Sequence, residues 1–123
     1  MLAILAAVSL PPCPRTPNCV STQATDPEHG IAPIPYSGPA AEAMQRLVAI
    51  LRDIPRTTIT SMEGGTVRAK FRTRVFRFVD DAIFVLDDDT KTIHFRSAAR
   101  LGRRDFGVNR ARMESLRTSF EKT

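Results

Sequence analysis

The chain has 123 residues, 42% of them hydrophobic and 25% charged, proportions that exclude wholesale disorder and fit one domain rather than two. Its net charge of +5 is unevenly placed: residues 56–123 hold fifteen of the eighteen cations and nine of the thirteen acids. The positive field is therefore local, and it favours an anionic partner such as a phosphate, a lipid head group or an acidic polymer.

Residues 1–10 form an apolar tail, too short to cross a bilayer. The tail is read as the remnant of an export signal, with Ala7, Val8 and Ser9 as a small-residue cleavage site, or as a disordered end. Residues 11–38 make a proline-rich arm. Eight of the nine prolines fall between 11 and 39, too many for regular structure, so the arm is expected to be extended and loop-like. Ile31, Ile34 and Tyr36 are available to pin it to the domain. Within the arm, Cys13 and Cys19 are the only cysteines. Two thiols do not complete a tetrahedral zinc site, and the spacing is not that of a redox dithiol. They either close a local disulfide, which would imply an oxidising compartment, or stay as free thiols.

Residues 39–123 are read as the folded domain. A helix is predicted over 39–53, with Gly38 as N-cap and Pro39 at the first helical position. Ala43, Leu47, Ile50, Leu51 and Ile54 form its apolar stripe, and Pro55 stops it. A strand over 57–62 turns at Gly64 and Gly65 into a second strand. There Val67, Ala69, Phe71, Thr73 and Val75 alternate with Arg68, Lys70, Arg72 and Arg74, so period two places four cations on one face. The parity reverses at Phe76 and Phe78, which requires a bulge or turn near 73–75 or a crossing between buried faces. Residues 82–86 are apolar on both parities and predict a well-covered strand; 87–90 is a turn and 91–97 the next strand. Asn109 is expected to cap the last helix, with Val108 and Met113 as a hydrophobic staple. The order predicts an α+β fold: an antiparallel sheet of about four strands with an N-terminal and a C-terminal helix packed on one face.

The chemistry concentrates in 96–112, which carries six arginines and one acid. Arg96, Ser97, Arg100, Asn109 and Arg110 are candidates for an anion pocket, because arginine forks and the free amides of a helix start suit a carboxylate or phosphate. The competing reading is fold maintenance, with Asp80, Asp81 or Asp105 neutralising these arginines as structural ion pairs. Asp80 and Asp81 point to opposite faces of a strand and make a poor acid–base pair or metal site. The cationic row at 68, 70, 72 and 74 is a second anion candidate or a solvated edge. Nucleic acid is the weaker partner, since stacking aromatics are few. A hydrolase or transferase using Ser97 beside arginine charge is the alternative, yet no base accompanies that hydroxyl. His94 is expected on the surface and His29 in a loop. No cofactor or metal is implied, and the sequence sets no oligomeric state.

Three blocks carry a family resemblance: Cys13-Pro-x-x-Pro-Asn-Cys-Val-Ser21, Phe76-Arg-Phe-Val-Asp-Asp81, and the run from Arg96-Ser-Ala-x-Arg100 through Gly102, Asp105, Gly107, Asn109 and Arg110 to Arg112. Together they resemble the bacterial and plastid family known only as domain of unknown function 1499, over about residues 11–118. Members of that family often carry an export signal, a lipoprotein anchor or membrane segments. The resemblance therefore implies an extracytoplasmic, membrane-associated setting, and it brings no catalytic residues.

Overall fold

The computed structural model describes residues 8–74, 78–102 and 107–123. In chain order these form β1 (Cys19–Ser21), β2 (Ile34–Pro35), α1 (Ala40–Asp53), β3 (Thr57–Glu63), β4 (Thr66–Arg72), β5 (Val79–Asp87), β6 (Thr92–Ala99) and α2 (Val108–Glu121). All strands pair antiparallel in the order β1-β6-β5-β4-β3, with β2 also on β6.

The α+β class and the two helices agree with the sequence pattern, but the sheet has six strands rather than about four. The two extra strands come from the proline-rich arm. Their order is imposed by a partner and not by local propensity: Cys19, Val20 and Ser21 pair with Ala98, Ser97 and Arg96, and Ile34 and Pro35 pair with Ile93 and Thr92. Pro35 is tolerated because it sits in a two-residue strand at the sheet edge, where no ladder continues past it.

Thr73 and Phe78 pair across the parity reversal. β4 ends at Arg72, Thr73 N–H donates to the Phe78 carbonyl at 2.8 Å, and Phe78 N–H donates to Thr73 Oγ1 at 2.8 Å. Beyond it Asp80, Ala82, Phe84 and Leu86 face inward and the odd residues of β5 outward. Residues 75–77, where part of the reversal was placed, lie outside the described residues.

Both helices cover the face that carries Val67, Ala69, Phe71, Ala82, Phe84, Ile93 and Phe95. From α1, Ala43, Leu47, Val48 and Leu51 enter the core, with Ile50 and Ile54 at its margin. From α2 come Met113, Leu116 and Phe120. Val20, Ile31, Ile34 and Tyr36 join the same core, so the arm is packed rather than draped. Each such side chain stabilises by roughly 1.5–3 kcal/mol when fully buried.

Two helix starts differ from expectation. Pro39 is itself the N-cap of α1, in extended geometry at φ −67° and ψ 142°, and Gly38 precedes it at φ +79°. Gly107, at φ +77°, caps α2. Asn109 is therefore inside the first turn, where packing against Ser97 holds its side chain in the core. With Gly107 as the cap, Val108 is the first helical residue and not the residue before the cap, so it does not hold the staple position.

Candidate functional site

Strand alternation divides the candidates of 96–112 between two faces. Ser97 and Asn109 meet in the core, both fully buried, with the Ser97 hydroxyl donating to Asn109 Oδ1 at 2.5 Å. Asn109 Nδ2 donates to the Asn18 carbonyl at 3.4 Å, and Arg112 Nη1 donates to Asn109 Oδ1 at 3.3 Å. This polar joint ties β1, β6 and α2 together. Among the described residues, the Ser97 hydroxyl is enclosed and its hydrogen-bond partner is an amide rather than a base.

The arginines and acids are sorted likewise. Asp80 points inward and Asp81 outward, as adjacent strand residues must. Asp80 Oδ2 lies 3.0 Å from Arg112 Nη1, with side-chain exposures of 3% and 14%. The Arg112 guanidinium also stacks 4.3 Å above the centre of the Phe71 ring. On the outer face Arg100 grips Asp81 with two hydrogen bonds, Nε to Oδ2 at 3.0 Å and Nη2 to Oδ1 at 2.8 Å. Those bonds and the Asp81 charge raise the Arg100 pKa. Arg110 spans to the arm, donating to the carbonyls of Gly30 at 2.8 Å and Glu28 at 3.1 Å. Arg96 is half-buried on the outer face; its Nη2 reaches the Pro12 carbonyl at 3.4 Å and its Nε is buried without an acceptor among the described residues. Burial lowers its pKa against the opposing pull of Asp81. The sheet thus stands between Arg96 and Arg100 on one side and Ser97 and Asn109 on the other, while Arg110 reaches from α2 to the arm, so the five do not line one pocket. Asp105, with Arg103 and Arg104, lies outside the described residues.

The outer face bears the cationic row. Arg68, Lys70 and Arg72 alternate with buried Val67, Ala69 and Phe71. At the end of the sheet where β3 begins, Arg56, Thr57, Thr58, Lys70, Arg72 and Val79 line an open groove of about 230 Å³. Arg56 stands in the left-handed region at φ +58°. It is fixed there by two bonds to Arg72: Arg72 N–H to its carbonyl at 3.0 Å, and its own Nε to the Arg72 carbonyl at 3.2 Å. Among the described residues, no ion pair involves Arg56, Lys70 or Arg72. Asp81 is the Cα partner of Lys70 but is held by Arg100. The alternation at 66–72 signalled this row; the contribution of Arg56 and the threonines had no signal, because it depends on the β3–β4 register.

The family described as "Protein of unknown function (DUF1499)" matches residues 9–120. The chain belongs to that family. No curated protein matches it. The match runs from the arm to the end of α2, so the pairing of β1 and β2 with β6 lies within the DUF1499 unit. Among the described residues, no helix is long and apolar enough to cross a membrane.

The arm of this DUF1499 domain is fastened at two points. Cys13 and Cys19 form a disulfide, with Cα atoms 5.7 Å apart. His29, 7% exposed, lies against Asp26 Oδ2 at 2.5 Å through Nδ1 and against the Thr16 carbonyl at 2.8 Å through Nε2. A carbonyl and a carboxylate both accept, so these two contacts favour the protonated ring, in which both nitrogens donate. The Thr16 carbonyl raises the His29 pKa, burial opposes it, and the Asp26 bond and charge add to the rise. Burial likewise works against the Asp26 charge, but the bond from His29 holds its pKa below the usual value. Ligand atoms of Asp26, Glu28 and His29 lie within 4.8 Å of one another, and both ring nitrogens of His29 face acceptors inside the arm. The sequence did not flag this histidine, because its burial depends on the arm folding back on itself.

Proposed function

We propose that this DUF1499 domain is a binding module that holds a phosphate-type oxyanion in the groove lined by Arg56, Lys70 and Arg72. The observation that carries the reading is three cations converging on one groove, none in an ion pair among the described residues. Like charges this close raise each other's energy, and an anion between them relieves that repulsion. Arginine forks on a tetrahedral oxyanion make charge-assisted hydrogen bonds, each contributing about 1.5–3 kcal/mol net. The Thr58 hydroxyl adds a neutral donor beside Lys70, its partner in register. The disulfide supports an extracytoplasmic setting, since such bonds persist in oxidising compartments.

Calorimetric titration with inorganic phosphate at low and physiological salt tests the proposal. Binding should weaken as salt rises, and Lys70→Ala and Arg72→Ala should each weaken it by roughly tenfold, the loss of one charge-assisted bond. Arg68→Ala, on the same face but outside the groove, should change it little. Phosphate affinity that is absent in the wild type, or unaltered by Lys70→Ala and Arg72→Ala, would refute the reading.

A further inference from the structure

We infer that the oxyanion is the head group of an anionic phospholipid, met by the end of the sheet that carries Phe78 and Leu101. The inference rests on the anion-binding reading above and names the source of its ligand. Phe78 immediately precedes β5 and Leu101 follows β6, and they are 53% and 74% exposed. Arg100 N–H donates to the Val79 carbonyl at 2.9 Å, which holds the two strand ends side by side. The groove opens at the same end, since Arg72 pairs with Val79 and Arg56 leads into β3.

An exposed aromatic and an exposed leucine at one tip are costly to keep in water. A free phosphate would fill the groove and leave that cost in place. A bilayer surface meets both demands. Its acyl boundary takes the two apolar side chains, and its phosphates meet Arg56, Lys70, Arg72 and the exposed Arg74 that follows β4. Each cation near an anionic leaflet adds on the order of 1 kcal/mol of attraction, so neither part needs to be strong alone.

The test uses the full chain with two probes: vesicles of phosphatidylcholine with and without phosphatidylglycerol, and soluble glycerol phosphate. The wild type should float with the phosphatidylglycerol vesicles, stay behind with phosphatidylcholine alone, and bind glycerol phosphate. Leu101→Ser removes an exposed side chain and should leave thermal melting unchanged, and Phe78→Ser is compared with it at a temperature where both variants are folded. Each should weaken vesicle binding by about tenfold, as loss of one buried apolar side chain predicts, and leave glycerol phosphate binding intact. Lys70→Ala with Arg72→Ala should weaken both. Glycerol phosphate binding without vesicle binding, or vesicle binding indifferent to Phe78→Ser and Leu101→Ser, would overturn the lipid assignment and leave the anion site standing. Failure to bind either probe would overturn both.

Discussion

Replacing Arg112 by methionine should cost about 3–5 kcal/mol of stability. The guanidinium lies 3.0 Å from the Asp80 carboxylate, whose side chain is 3% exposed. At an effective dielectric near 20, two unit charges at that distance attract by roughly 5–6 kcal/mol. Desolvation of both groups offsets most of this in the intact pair, so the pair itself adds little net stability. Taking away the cation removes the attraction while the carboxylate stays enclosed, and such one-sided changes cost about 3–5 kcal/mol. Methionine keeps an unbranched apolar chain where Arg112 lies over the Phe71 ring, so lost packing contributes little. Against a total of about 5–15 kcal/mol, Arg112→Met should shift the urea midpoint, followed by far-ultraviolet circular dichroism, with little change in slope. Adding Asp80→Leu to Arg112→Met should recover most of the loss, because the buried charge then disappears with its partner. A single variant within about 1 kcal/mol of wild type, or a double variant no better than the single, would refute the electrostatic account.

Other outcomes follow from the same contacts. Cys13 and Cys19 are separated by 6 in sequence; reduction, or Cys13→Ser with Cys19→Ser, should cost about 2 kcal/mol in the loop-entropy account, read as a fall in melting temperature. The raised pKa of His29 means its contribution is fully present below the unfolded value of about 6.5 and is lost as pH rises through the folded value. Melting temperature should therefore decline from about pH 6 upward, and His29→Gln should flatten that slope. Ser97→Ala removes a donor to a buried oxygen that Arg112 still contacts; it should cost about 1–2 kcal/mol and leave phosphate titration unchanged. Altered phosphate affinity in that variant would bring the buried joint into the binding site.

What the sequence revealed was whatever repeats along the chain. The alternation at 66–72 placed the cationic row on one face, and the helical stripe at 43, 47 and 51 placed α1. Asp80 and Asp81 were separable because neighbours on a strand must diverge. Features decided by distant partners were hidden. β1 and β2 exist only through β6, His29 is enclosed only because Thr16 and Asp26 fold around it, and Arg56 joins Lys70 only through strand register. The cluster at 96–112 was visible as composition. Its division was not, because a single position decides whether a residue such as Ser97 faces α2 or an arginine such as Arg96 faces outward. Asn109 looked like a cap by residue type, while Gly107 met the backbone geometry.

The arm's pairing with β6 also fixes an order of events during folding. The four strands from β3 to β6 are neighbours in both sequence and space, so they can zip together one hairpin at a time. β1 and β2 leave the ribosome before β6, their partner, which follows them by more than fifty residues. Val20 and Ile34 must wait in water until β6 arrives, and β6 keeps an open row of backbone donors and acceptors until they dock. Docking of β1 and β2 therefore closes an edge that the four-strand sheet leaves open.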